Sequence, residues 1–87
     1  MTKTIFTHKV EDVSKWKSLH DERARNMGAF GDDIQSYVDK EGGNQVAVSM
    51  NLTDPEGFRK FMQSETAGAI FQKHGVIAPI NMLVSGA

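Results

Sequence analysis

The chain contains no cysteine, only two prolines, one tryptophan and one tyrosine. Without cysteine there is no disulfide framework, no thiolate metal site and no thiol nucleophile. Neither charge sign is in excess: ten Lys and Arg stand against eleven Asp and Glu, a net charge of -1. A nucleic-acid module needs a basic face and a membrane-surface protein a polybasic patch, so neither nucleic acid nor membrane is expected as a partner. No stretch approaches the roughly 18 apolar residues of a membrane-spanning helix. The start, Met1 to His8, lacks the apolar run of a secretory signal, so a cytoplasmic location is expected. Eighty-seven residues suffice for one domain over 1–87 and leave no room for a second core. A domain of this size buries only about 60–65% of the surface its unfolded chain exposes, so a partner subunit would complete a thin core.

What is present is a regular succession of patterns. Residues 3–10 read as a strand, with Phe6, His8 and Val10 on one face. Residues 12–28 read as one helix, capped by Asp12 or Ser14. Val13, Trp16, Leu19, Ala24 and Met27 gather on its apolar side, and His20 and Arg23 fall inside that arc. Gly28 and Gly31 stop it. Residues 33–40 alternate as a strand, with Ile34, Ser36 and Val38 opposed to Gln35, Tyr37 and Asp39. Glu41 to Asn44 supplies a turn. Residues 45–52 form the next strand, with Val46, Val48, Met50 and Leu52 on one face. Thr53, Asp54, Pro55 and Glu56 open a second helix, with Glu56 at capping-box distance from Thr53. Phe58, Phe61 and Met62 form its stripe. A break at Ser64 and Glu65 precedes a further run of Ala67, Ile70, Phe71 and His74 at helical spacing. Gly75 reads as a C-cap, Pro79 ends the connection, and residues 80–84 form a last strand.

The order is β-α-β-β-α-β, an α+β, ferredoxin-like arrangement: an antiparallel sheet with both helices on one face. The bare face predicts pairing of two sheets in a homodimeric barrel.

Several runs carry a resemblance to a known group. His8 to Lys17 (His-Lys-Val-Glu-Asp-Val-Ser-Lys-Trp-Lys), then His20-Asp21, Arg25 and Gly28, resemble the opening of antibiotic-biosynthesis-monooxygenase-like and stress-responsive barrel proteins. These belong to the dimeric α+β barrel superfamily. Leu52 to Phe58, Ser64-Glu65 and Gln72 to Pro79 resemble the group's second helix, its break and its passage into the last strand. The resemblance implies a homodimer. Relatives include cofactor-independent oxygenases, lactone isomerases, cyclases, dehalogenase-like enzymes, haem-degrading enzymes and proteins of no known activity. Two departures stand out: His20 takes a position that is usually aromatic, and the turn at Glu41–Asn44 is short and lacks the usual Asp-Pro step.

The candidate chemistry is imidazole, guanidinium and phenol. His8 and His20 are the candidate catalytic residues, because imidazole titrates near neutral pH. Trp16, Arg23, Met27, Tyr37, Phe58 and Phe61 are candidates for substrate binding: apolar walls, a guanidinium for a carboxylate or phenolate, and a phenol. Tyr37 serves a pocket or a dimer interface equally well. His74, at a helix end, reads as a cation on the helix dipole. The three histidines lie on different elements, without metal-ligand spacing, so no metal is expected. No phosphate-cradling loop and no other cofactor motif is found, and no cofactor is expected. Two functions stand open. One is a cofactor-independent isomerase, cyclase or oxygenase acting on a small organic compound. The other is a non-catalytic homodimeric binding or interaction module.

Overall fold

The computed structural model describes residues 2–85. Four strands form one antiparallel sheet in the order β2-β3-β1-β4: β1 (Thr2–Val10), β2 (Gly31–Val38), β3 (Gln45–Leu52) and β4 (Val76–Val84). Four short helices cover one face: α1 (Val13–Ser18), α2 (His20–Met27), α3 (Pro55–Met62) and α4 (Glu65–Lys73). This is the expected ferredoxin-like topology. Pairing Phe6 with Val48 and His8 with Val46 puts the apolar residues of β1 and β3 on the covered face. There Phe6, Val10, Val46, Val48, Met50 and Leu52 meet Trp16 and Phe58 from the helices.

The helix expected over 12–28 is in fact two. Asp12 caps the first turn, its carboxylate accepting from Lys15 N. Ser18 Oγ then bonds back to Lys15 O, a side-chain bond that competes with the helical ladder. Leu19 N–H reaches back only three residues to Trp16 O, and the Arg23 guanidinium takes the same carbonyl. The helical ladder is interrupted at Leu19, and Arg23, on the second helix, is buried as its place in the apolar arc predicts.

Other boundaries also differ from expectation. β2 begins at Gly31 rather than residue 33 and ends at Val38 rather than residue 40. Gly31 pairs with Leu52 so closely that a Cβ there would run into Asn51 O. Asp33, at φ 53°, forms a bulge where the β2–β3 register shifts. At the other end Asp39 belongs to the turn, accepting from Glu41 N through its side chain and from Gly42 N through its carbonyl. β4 begins at Val76 rather than residue 80, and runs through Pro79 instead of starting after it. A β1–β4 register shift opposite His8 accommodates the proline, whose missing N–H is tolerated on an edge strand. At α3 the cap is Asp54, accepting from Gly57 N, while Thr53 Oγ1 donates to Phe30 O, so no Thr53–Glu56 box forms. The expected break is confirmed: Ser64 Oγ caps α4 by accepting from Ala67 N. Gly75 ends that helix at φ 68°, a conformation that favours glycine.

Candidate functional site

Between the helices and the covered sheet face lies a cavity of about 70 Å³. Measured this way a water needs roughly 10–15 Å³, so the space admits a small molecule. One end is aromatic. Phe58 lies 5.1 Å from Phe6 and 5.7 Å from Phe30, and Phe30 lies 5.2 Å from Phe61, ring centre to ring centre. Spacings of this kind add about 0.5–1.5 kcal/mol per pair beyond the area buried. Met27 and Met62 extend this apolar wall.

The other end is polar and centred on Arg23, which is only 6% exposed. Its guanidinium carbon lies 3.8 Å from the centre of the Trp16 ring, a cation–π contact. Nη1 donates to Trp16 O at 2.6 Å and faces His74 Nδ1 at 3.3 Å, while Nη2 donates to Ser36 Oγ at 3.0 Å. Burial lowers the Arg23 pKa to about 10, which leaves the group charged at neutral pH.

These contacts fix the tautomers of two histidines. A guanidinium only donates, so His74 Nδ1 must accept, and Nε2–H donates to Glu22 Oε2 at 2.8 Å. Glu22 also takes Lys73 Nζ at 2.7 Å. Burial pushes the His74 pKa down and the Arg23 charge adds to this, outweighing the opposing pull of Glu22. The Glu22 carboxyl is held below its ordinary value by the Lys73 and His74 hydrogen bonds. His8, 7% exposed, directs Nδ1 to Lys9 O at 3.1 Å. A carbonyl only accepts, so Nδ1 carries the proton and Nε2 is the basic nitrogen. Burial first, and the Arg23 charge after it, lower its pKa. His8 meets Trp16 edge-on, with ring centres 6.1 Å apart. Ser36 Oγ, already accepting from Arg23, has its own proton for His20 Nδ1 at 2.7 Å.

The cavity thus brings together His8, Trp16, Arg23, Met27, Phe58 and Phe61 of the expected site residues. His20 stands behind Ser36, outside the lining. Tyr37 is on the opposite sheet face, half-exposed, its hydroxyl 2.9 Å from Ser49 Oγ. Sequence reasoning missed His74, Glu22 and Ser36. His74 does stand at the end of α4, as its C-cap, but it is buried in the cavity wall, and burial disfavours the cation expected there. Its place in the Ala67, Ile70, Phe71 stripe was the available signal. Among the described residues no group of His, Asp and Glu is placed to hold a metal ion, and no helix is long and apolar enough to cross a membrane.

No family model matches the chain, and no curated protein matches it either. Solved structures do. An antibiotic biosynthesis monooxygenase superposes with a TM-score of 0.64 at 10% identity, over 100% of this chain and 98% of the other. A Deinococcus radiodurans protein provisionally given the same name also has a TM-score of 0.64, at 8% identity over 100% and 92%. A conserved protein from Methanosarcina mazei Go1 gives 0.66 at 12% identity, over 95% and 88%. At such identities the likeness concerns the backbone path alone. The chain thus shares the ferredoxin-like fold of solved structures named as antibiotic biosynthesis monooxygenases.

Proposed function

We propose that the chain binds a small organic compound in the cavity and moves a proton on it without a cofactor. The reaction class is that of an isomerase, cyclase or oxygenase. One observation carries the reading: a histidine held neutral, its basic Nε2 set by the Lys9 bond, lines an apolar cavity that also holds a guanidinium. His8 is the general base, and its lowered pKa keeps it in the proton-accepting form at neutral pH. Arg23 and Trp16 orient the compound, and the phenylalanines exclude water from it. The names of the structural neighbours support the oxygenase variant of this reading. His20 steadies Ser36, and through it Arg23.

The same reading makes the active species a homodimer. The sheet face away from the helices is uncovered, with Ile77, Leu83 and Tyr37 exposed on it. Tyr37 stands at one edge of that face and Ile77 and Leu83 at the other, and the uncovered apolar surface supports an interaction face. The alternative, a non-catalytic homodimeric module, would use that face and bind a small molecule or another protein without turnover.

Two measurements test the proposal. Deuterium exchange next to the carbonyl of enolisable ketones and lactones, followed by NMR in D2O, is expected to be accelerated. His8→Ala should reduce that acceleration by about 10²–10⁴-fold, the span of general-base catalysis. Acceleration equal in the variant removes His8 from the mechanism. Sedimentation should give about twice the protomer mass of 9.6 kDa, and Leu83→Asp should lower it toward one protomer.

A further inference from the structure

The structure assigns the cavity an occupant with a negative charge: a small organic monocarboxylate, bound head-first at the stacked Arg23–Trp16 pair with its apolar body among the phenylalanines. The assignment rests on the reading that the cavity takes a small molecule, and adds what kind.

The reasoning begins with Arg23. A buried charge is costly unless an opposite charge accompanies it. Every hydrogen-bond partner of this guanidinium is neutral: a backbone carbonyl, a serine hydroxyl and an uncharged imidazole nitrogen. No carboxylate forms an ion pair with Arg23 among the described residues. Glu22, the acid of the network, is bound by Lys73 and His74. The network therefore carries one uncancelled positive charge, and that charge lines the cavity.

The second observation is independent of charge. Two side-chain N–H groups are buried without a partner, Arg23 Nε and Trp16 Nε1. Both residues line the cavity, and the guanidinium rests against the indole, so the two orphan donors belong to one contact pair. A buried polar group left unsatisfied costs about 1–3 kcal/mol. Two unused donors beside an uncancelled cation call for a group that only accepts. Carboxylate has two accepting oxygens and the matching charge, whereas an amide would bring donors of its own. Phe6, Phe58, Phe61 and Met62 offer no polar group to the other end of the molecule. The occupant is therefore acid at one end and hydrocarbon at the other. A cavity of about 70 Å³ that opens to solvent suits propionate to benzoate.

The single tryptophan makes the test direct, because the indole N–H resonance of Trp16 is unique in the spectrum. The whole chain, labelled with 15N, is titrated at pH 7 and fixed ionic strength with propionate and benzoate, and separately with propionamide and benzamide. The acids are expected to move the indole resonance with at least tenfold higher affinity than the amides. Arg23→Lys, which keeps the charge, should retain part of the preference, and Arg23→Gln should abolish it. Amides that bind as tightly as the acids overturn the carboxylate assignment and leave the small-molecule cavity standing. Silence toward all four compounds overturns both. The acid-to-amide ratio of the unaltered chain decides the question even where a variant fails to fold.

Discussion

The two ends of the cavity are built on different principles. At the aromatic end Phe6, Phe58 and Phe61 line the cavity, and Phe30, outside the lining, packs against Phe58 and Phe61. Their contribution is area removed from water, it is non-directional, and each ring can be replaced in part by its neighbours. At the polar end Arg23, His74, Ser36 and Glu22 depend on single bonds between specified atoms. Those bonds are directional, and the cation at the centre has no anion of its own. The aromatic end holds the chain together. The polar end is arranged at a cost in stability, and such costs mark functional sites.

Four perturbations probe this contrast. The largest effect is expected from Phe58→Ala, which empties the centre of the aromatic end. Loss of a buried phenylalanine costs about 3–5 kcal/mol, and the denaturation midpoint should fall accordingly. The second is acidity. His8 and His74 both have folded pKa values below that of the unfolded chain, about 6.5. Below that pH the unfolded state takes up protons first, so stability is complete above pH 6.5 and declines as pH falls. A protonated His74 would also lose the lone pair that faces Arg23. His74→Asn, which keeps an acceptor, should flatten the decline, and urea titrations at pH 7 and 5 measure it. Third, Ser36→Ala removes the hydroxyl between Arg23 and His20. A stability loss of about 1–2 kcal/mol is expected, together with weaker carboxylate binding. The smallest effect belongs outside the cavity. Tyr37→Phe deletes one half-exposed hydrogen bond to Ser49 and should cost less than about 1 kcal/mol. It should leave the Trp16 indole resonance and ligand affinity unchanged; a shift in either would show that the two sheet faces are coupled.

The same contrast explains what could be read from the sequence. The aromatic end rests on periodicity: Phe58, Phe61 and Met62 share a helical stripe, and Phe6 alternates along a strand. Such patterns report which face is buried without any knowledge of the partner. Hence the order of elements, the apolar faces of β1 and β3 and the break at Ser64 were legible. The polar end joins residues distant in the chain: Arg23 to His74 across 51 positions, His74 to Glu22 across 52. No local pattern encodes these. The burial of Arg23 was legible from its place in the apolar arc, but its partners were not. His20 was assigned to the cavity because a single helix over 12–28 was assumed. The joint at Leu19 is a matter of hydrogen bonds, from Ser18 Oγ and the Arg23 side chain, that hydrophobic spacing does not show. The early start of β4 escaped for a similar reason. Proline normally ends a strand, and only the register shift opposite His8 admits it.

That proline has a consequence for the outer edge of the sheet. β4 has no neighbour on one side within the protomer, and it displays Ile77, Met82, Leu83 and Val84. A long apolar edge of this kind is a template for indefinite strand addition between molecules. Pro79 supplies no amide donor and stands where the ladder shifts, so the edge is divided into a short segment before it and another after it. An edge divided in this way resists open-ended strand addition along β4, so Pro79 acts as a guard against fibril growth.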